Sequence, residues 1–225
     1  MDKPTLSSYI RDNLNESNAQ NPGPFLALSR QFGCNGFEVA DLLAEKLNQN
    51  QENNQWKVYK REILQQVAED AGLNEEIIER ERQTCPSVFR DFFKTVKGSK
   101  IPDSMEILKN ITTLVRKIAY DGNAIIVGHG ATAATAEIEN GLNVRIEAPR
   151  SWRKRNLARR DGLNPKDAEA LIKETESGRK HLDKIYKKWN PRNPAFALVM
   201  DNSLFDSEQI VEHIIVAMKQ RKLID

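Results

Sequence analysis

The segment from residue 25 to residue 40 constrains the fold most, because its apolar pattern changes period within a few residues. Residues 25–28 form a short apolar run, as in a buried strand. Glycines follow at positions 33 and 36, and apolar side chains then recur at helical spacing. This order predicts a strand at residues 25–29, a glycine turn, and a helix over residues 37–48.

A strand that leads through a glycine turn into a helix forms a geometry suited to phosphate. The backbone N–H groups of the turn and the positive end of the helix dipole both favour an anion. The segment departs from the pattern G-x-x-x-x-G-K-[ST], since Phe37 and Glu38 follow Gly36 in place of Lys and Ser or Thr. An ordinary strand-to-helix turn is the alternative. We favour phosphate binding, with Cys34 as a small residue of the turn and not a nucleophile.

The rest of the chain alternates short apolar runs with segments of helical periodicity. Strands are predicted at residues 56–59, 124–127, 143–147 and 195–200, and helices at 62–71, 75–83, 104–120, from 151, at 166–188 and at 207–221. Strands that alternate with helices predict an α/β fold with a parallel sheet covered on both faces. Its ligand site is expected at the carboxyl ends of the strands.

Breaker residues divide the chain into an appendage and one domain. Residues 1–24 are predicted to be an N-terminal appendage and linker, ending at the sequence Pro22-Gly23-Pro24. Residues 25–221 are predicted to form a single domain. Within it, residues 84–103 have weak periodicity and should form a mobile insert, and residues 150–190 form a basic lid region.

Composition predicts a cytoplasmic protein with no membrane partner. Charged residues make up 29% of the 225 residues, the mean hydropathy is −0.61, and no apolar run is long enough for a membrane span. The two cysteines, Cys34 and Cys85, are expected to be free thiols. The sequence does not indicate an oligomeric state.

Basic residues are concentrated between residues 145 and 188, although the net charge is only +2. A solvated helix face is one explanation, and nucleic-acid binding is a second. Few aromatic residues are interleaved and no nucleic-acid motif occurs, so no nucleic-acid partner is expected. We prefer a third interpretation, in which arginines close over a polyphosphate bound at the glycine turn.

Several segments, taken in order, resemble the cytidylate kinase-like family, a branch of the P-loop nucleoside monophosphate kinases. Residues 28–40 are similar to its Ser-Arg-Glu-x-Gly-Ser-Gly-Gly-x-Glu-Ile-Ala opening. Further similar segments are residues 58–64, 125–130, 143–149, 153–163, 176–179 and 201–203. The resemblance covers residues 25–221 and implies a three-layer, P-loop kinase-like parallel sheet flanked by helices, with a helical insert and a basic lid.

The resemblance also implies transfer of the ATP γ-phosphoryl group to a nucleoside monophosphate, CMP or dCMP, with ATP and Mg²⁺ as cofactors. The matching residues fall into three groups, and no protein residue is assigned as a metal ligand. The lid arginines that would neutralise the transferred charge are Arg153, Arg160 and Arg179. The residues that would hold ATP are Arg30, Gly33, Cys34, Asn35 and Gly36. The residues that would hold the acceptor are Tyr59, Lys60, Arg61 and His129.

Departures from the family pattern keep two alternatives open. Phe37 stands where the family often has Arg, and His129 stands where it has an acceptor-side Arg. His129 could equally be a packed or exposed residue near a strand end. One alternative is a degenerate relative that binds nucleotide or another anion without turnover. The other is a kinase for a non-nucleotide acceptor. Asp201 could orient a metal-bound water or cap the turn that follows it.

Overall fold

The computed structural model describes residues 22–49, 55–60, 104–128, 130–189 and 196–225, without the side chains of residues 104–110 and 178–189. The predicted appendage, the helices at 62–71 and 75–83, and the insert at 84–103 lie outside these ranges, apart from residues 22–24. Strands and helices are numbered below along the described part of the chain.

Five parallel strands form the sheet in the order β2-β3-β1-β4-β5. Their bounds are Phe25–Arg30 (β1), Lys57–Tyr59 (β2), Ala124–Val127 (β3), Gly141–Glu147 (β4) and Leu198–Asp201 (β5). Strand β1 is central, and Phe25 pairs with Ala124 on one side and with Gly141 on the other. The first four residues of β1 are buried, as expected for a strand covered on both faces.

Helices cover both faces of this sheet. Their bounds are Gly36–Asn48 (α1), Ser104–Asp121 (α2), Ala131–Ala134 (α3), Arg150–Asp161 (α4), Pro165–Trp189 (α5) and Ser207–Gln220 (α6). On one face, α1 and α6 pack on side chains such as Leu26 and Leu28 of β1. On the other face, α2 and α3 pack on Phe25 and Ala27. The predicted α/β fold, with a parallel sheet between two helical layers, is confirmed.

Two local differences from the prediction have physical causes. Strand β4 begins at Gly141, two residues before the predicted start, and a glycine gives no strand signal. The ring of Phe25 lies where a Cβ on residue 141 would have to be, so glycine is required at this position. Helix α3 was not predicted, because its four residues are too few to show a helical period.

The last residues of the predicted linker are attached to the domain. The Gly23 N–H donates to Tyr120 O at 3.0 Å, and the Asn140 side chain donates to Pro22 O at 2.8 Å. Gly23 and Gly122 touch so closely that a Cβ on Gly23 would lie 2.6 Å from the Gly122 Cα. These contacts fix where the chain enters β1. Among the described helices, none combines the length and the apolar character needed to cross a membrane.

Candidate functional site

The glycine turn between β1 and α1 is shaped by its contact with α4. Gly33 has a φ of +92°, a conformation that residues with a Cβ rarely adopt. A Cβ on Gly33 would also lie 2.9 Å from Arg153 O and 3.0 Å from Arg153 Cβ. Glycine is therefore required at this position both by the backbone conformation and by the close approach of the helix.

Two amides of the predicted phosphate cradle are already bonded within the protein. The Cys34 N–H donates to Gln31 O at 3.2 Å, and the Asn35 N–H donates to Asn202 Oδ1 at 2.8 Å. Cys34 is buried, with 5% of its surface exposed. Of the residues proposed from the resemblance, Cys34 and Asn35 thus shape the turn in this structure.

The N-terminus of α1 presents the other backbone donors of the site. The Asn35 side chain, at the N-cap position, makes no capping hydrogen bond to the first turn of α1. The amides of that turn, from Gly36 to Glu38, have no intrahelical acceptor in an α-helix. An uncapped helix N-terminus of this kind suits an anion, through its N–H groups and the helix dipole. Glu38 brings an exposed carboxylate to the same turn.

Arg30 connects the turn to the end of β3. Its side chain lies on Gly36, where a Cβ would be 2.9 Å from Arg30 Cγ. Its guanidinium lies against Gly128, a residue with a φ of +83° directly after β3. The guanidinium carbon is also 5.0 Å from the centroid of the Phe37 ring. The structure therefore places the Arg30 charge between the carboxyl ends of two neighbouring strands.

Lys60, at the end of β2, brings a second cation to the Phe37 ring. The Lys60 Nζ is 5.6 Å from the ring centroid and forms an ion pair of 2.6 Å with Asp41 of α1. Phe37 is partly exposed, with 37% of its surface accessible. Tyr59 is half-buried and packs against the core under α2. The predicted strand-end residues Arg30, Gly36 and Lys60 are thus brought together around Phe37.

Arg153 is buried and braces the turn. Its guanidinium donates to Phe32 O at 2.9 Å, to Ala148 O at 2.9 Å and to the Glu176 carboxylate at 2.6 Å. Only 5% of Arg153 is exposed. These bonds tie the end of β4 and helices α4 and α5 to the residue before Gly33, so the side chain acts structurally here.

A chain of side-chain amides holds the turn on its other sides. Asn156 of α4 is buried, and its Nδ2 donates to Gly33 O at 2.9 Å and to Asn35 Oδ1 at 2.6 Å. Asn202, after β5, accepts from Asn35 N and donates to Phe205 O at 3.1 Å. Sequence reasoning had placed Asn202 at a strand end but had not singled out Asn156. The one sequence signal for Asn156 was its place next to Leu157 on the buried side of α4.

The other predicted residues are distributed as follows. Arg160 is exposed, and its guanidinium binds the neighbouring Asp161 carboxylate through two hydrogen bonds of 2.7 and 3.0 Å. Arg179 lies in α5 with its side chain outside the described part, and Arg61 and His129 lie outside it altogether. Asp201 caps the turn that follows it, because its Oδ1 accepts from the N–H and the hydroxyl of Ser203.

The basic region includes several internal ion pairs. Arg145 pairs with Glu147, Arg150 with Glu169, Arg153 with Glu176, and Arg160 with Asp161. Trp152 packs against the core beneath α1 and α6. Within the part of the chain that the structure describes, no three His, Cys, Asp or Glu side chains are grouped so that they could hold a metal ion.

One known structure supports the fold, and a second is more distantly similar. The chain is similar to a crystal structure of an uncharacterized protein from Eubacterium ventriosum ATCC 27560, with 19% identity, a TM-score of 0.56, and coverage of 87% of this chain and 98% of that chain. It is also similar to the crystal structure of TT1252 from Thermus thermophilus, with 13% identity, a TM-score of 0.46, and coverage of 88% and 98%. None of the curated proteins compared with the chain matches it.

The family model agrees with the resemblance found in the sequence. The model described as the cytidylate kinase-like family matches residues 25–204. This range includes all five strands, the glycine turn, Arg30 and Lys60, and helices α1 to α5. It extends over well more than half of the 225 residues. The chain therefore belongs to the cytidylate kinase-like family.

Proposed function

We propose that the chain transfers the γ-phosphoryl group of ATP to a nucleoside monophosphate, with CMP and dCMP as the acceptors to test first. Family membership supports a nucleotide-kinase-like function, and the site geometry supports the reaction class. The observation that carries the proposal is the position of Arg30, whose guanidinium lies between Gly128 after β3 and the uncapped N-terminus of α1. As part of the same proposal, the reaction takes place in the cytoplasm.

The first turn of α1 is proposed to bind the ATP phosphates. The amides from Gly36 to Glu38 supply donors and the helix dipole supplies positive potential. With Cys34 N and Asn35 N bonded to protein oxygens, binding by Gly33 to Asn35 is proposed to be indirect, through the conformation they impose on the start of α1. Arg30 and Lys60 supply positive charge next to these amides.

The acceptor phosphate is proposed to lie on the β2–β3 side of Arg30. Tyr59 ends β2 and Lys60 follows it, at the carboxyl edge of the sheet where ligands of such folds bind. Arg61 and His129, outside the described residues, are kept from the family resemblance as further proposed acceptor residues. A single guanidinium between donor and acceptor would stabilise the charge that develops on the transferred group. Phosphoryl transfer requires little covalent chemistry from the protein, and positioning and charge neutralisation supply most of the acceleration.

Magnesium would add neutralisation of the phosphate charge when it is bound with ATP. The ion often keeps several waters and takes most of its other ligands from substrate phosphates. A site without a cluster of protein ligands in the described ranges is compatible with that mode. Arg153 is proposed to position the turn, whereas Arg160 and Arg179 are retained as the proposed lid arginines.

A screen of the intact chain against all nucleoside monophosphates, with ATP and Mg²⁺, tests this function. ADP production is followed by a coupled assay and ligand binding by thermal shift. We expect turnover with CMP or dCMP, and a loss of about 10²- to 10³-fold in kcat for Arg30→Met, as for removal of one preorganised charge donor. Arg155→Met, which removes an exposed arginine of α4, is the matched control. Equal rates for both variants would contradict the role of Arg30.

A second candidate function is nucleotide or anion binding without turnover. The bonding of Cys34 N and Asn35 N within the protein and the absence of Lys after Gly36 favour it. In the same screen, thermal stabilisation by ATP without ADP production for any acceptor would support this second function over the first. Turnover restricted to a non-nucleotide acceptor would show that the fold serves another kinase reaction.

A further inference from the structure

We propose that Asn156 is a positioning residue that fixes the phosphate-binding turn with one end of its side chain and holds Arg159 beside that turn with the other. The inference rests on the proposed phosphate site at the N-terminus of α1. It adds Arg159 as a cation of that site, a residue that neither the sequence patterns nor the family resemblance had singled out.

The bonding of the Asn156 amide has two distinct ends. Both hydrogens of Nδ2 are directed at the turn, with Gly33 O at 2.9 Å and Asn35 Oδ1 at 2.6 Å. The oxygen Oδ1 accepts from Arg159 Nη2 at 3.3 Å. A carboxylate in the same place would lack the two donors, and an aliphatic side chain would lack both functions. The side chain is buried, with 6% of Asn156 exposed, so its orientation is fixed by its surroundings.

Arg159 differs from Arg150, Arg153 and Arg160 in its bonding. Arg150, Arg153 and Arg160 each form an ion pair with a carboxylate. In the ranges that the structure covers, Arg159 forms no such pair, and its hydrogen bond goes to the neutral oxygen of Asn156. A guanidinium bonded to a neutral amide keeps its full charge for an anion, whereas a paired guanidinium is largely neutralised. The exposed position of Arg159 allows a ligand to reach it.

Arg159 lies in line with two residues of α4 that contact the turn. Arg153, Asn156 and Arg159 are spaced three residues apart, which places neighbouring members on adjacent positions of one helix side. Arg153 contacts Phe32 O, and Asn156 contacts Gly33 O and Asn35. Arg159 follows Asn156 along the helix and donates to its Oδ1. A purely structural role for Asn156 would need only the contacts to the turn and would not involve Arg159.

Binding of inorganic tripolyphosphate to the full chain tests the inference without requiring turnover. Affinities are measured by calorimetry at fixed ionic strength for wild type, Asn156→Ala, Arg159→Ala and the double variant. We expect Arg159→Ala to bind about tenfold more weakly, as for loss of one charged hydrogen bond. Asn156→Ala should bind at least as weakly, because it also loses the contacts to the turn. The double variant should bind no more weakly than Asn156→Ala, because loss of Asn156 already releases Arg159. Arg155→Ala removes the same charge from an exposed position and should change the affinity less than threefold, as for a screened surface charge.

The outcomes separate this inference from the proposed function. If wild type binds tripolyphosphate and Arg159→Ala behaves like Arg155→Ala, the inference is wrong while the phosphate site stands. A loss in the double variant beyond that of Asn156→Ala would also overturn it, since it would show that Arg159 contributes without Asn156. If wild type binds neither tripolyphosphate nor ATP, the proposed function and the inference both fail. The comparison of the two arginine variants remains decisive even if Asn156→Ala does not fold.

Discussion

Replacement of Gly33 by alanine should destabilise the protein through two separate effects. The first is the backbone conformation, since a φ of +92° costs a residue with a Cβ about 1–2 kcal/mol. The second is steric, because the new Cβ would lie 2.9 Å from Arg153 O and 3.0 Å from Arg153 Cβ. The carbonyl belongs to the backbone of α4 and cannot move aside as a flexible side chain could. Overpacking of this kind costs about 1–3 kcal/mol.

Gly162 provides a matched control for the conformational effect. It also has a positive φ, of +66°, at the C-cap of α4, but no atom lies within 4 Å of the position of its added Cβ. Gly162→Ala should therefore cost only the conformational part, about 1–2 kcal/mol. Gly33→Ala should cost about 2–5 kcal/mol in total. The difference between the two variants, about 1–3 kcal/mol, isolates the contact between the turn and α4.

Urea unfolding followed by circular dichroism measures both costs in the same way. The denaturation midpoint should fall for both variants, and it should fall further for Gly33→Ala. The slope of the unfolding free energy against urea concentration should stay the same. Equal midpoints for the two variants would refute the reasoning, because they would show that α4 does not press against the turn in solution. A changed slope would indicate an altered denatured or native ensemble and would contradict a local clash.

Two further substitutions test the contacts that hold the site in place. Arg153→Met should lower the free energy of unfolding by about 3–5 kcal/mol, because it leaves the Glu176 carboxylate and two carbonyls without their buried donor. A loss below about 1 kcal/mol in urea unfolding would contradict that bracing role. Asp206→Ala should cost about 1 kcal/mol by removing the capping box that Asp206 forms with Gln209 at the start of α6. Asp206→Asn should be nearly neutral in the same assay since asparagine caps equally well, and a similar loss for both would show that the cap is not responsible.

Much of the fold follows from the pattern of apolar residues. The run at residues 25–28 and the run at 124–127 are short and continuous, and both are buried strands in the structure. Parallel strands covered on both faces give this signal because each side chain is buried. The start of β4 at Gly141 depends instead on the Phe25 ring above it, a contact between residues far apart in sequence. Local patterns cannot report such a contact.

The candidate site was predictable in position but not in its internal bonding. The carboxyl ends of β1, β2, β3 and β5 were expected to converge, and Arg30, Lys60 and Asn202 do meet the turn. The family resemblance implied that Arg153 is a lid arginine that neutralises the transferred charge. Arg153 is buried because Trp152 packs α4 against the core and Leu157 packs it against α5. The side of α4 between these two residues therefore faces residues 32 and 33.

Three of the side chains that hold the turn are neutral asparagines, and this has a consequence for the charge of the site. Asn35, Asn156 and Asn202 satisfy one another and the turn through amide groups alone. An aspartate at any of these positions would place a negative charge beside the turn that leads into α1, and a carboxylate near a helix N-terminus lowers the potential that attracts an anion. Asparagine supplies the acceptors that the buried N–H groups need without that charge. These three amides therefore add no negative charge to the proposed phosphate site, where the exposed Glu38 is the acidic residue in the first turn of α1.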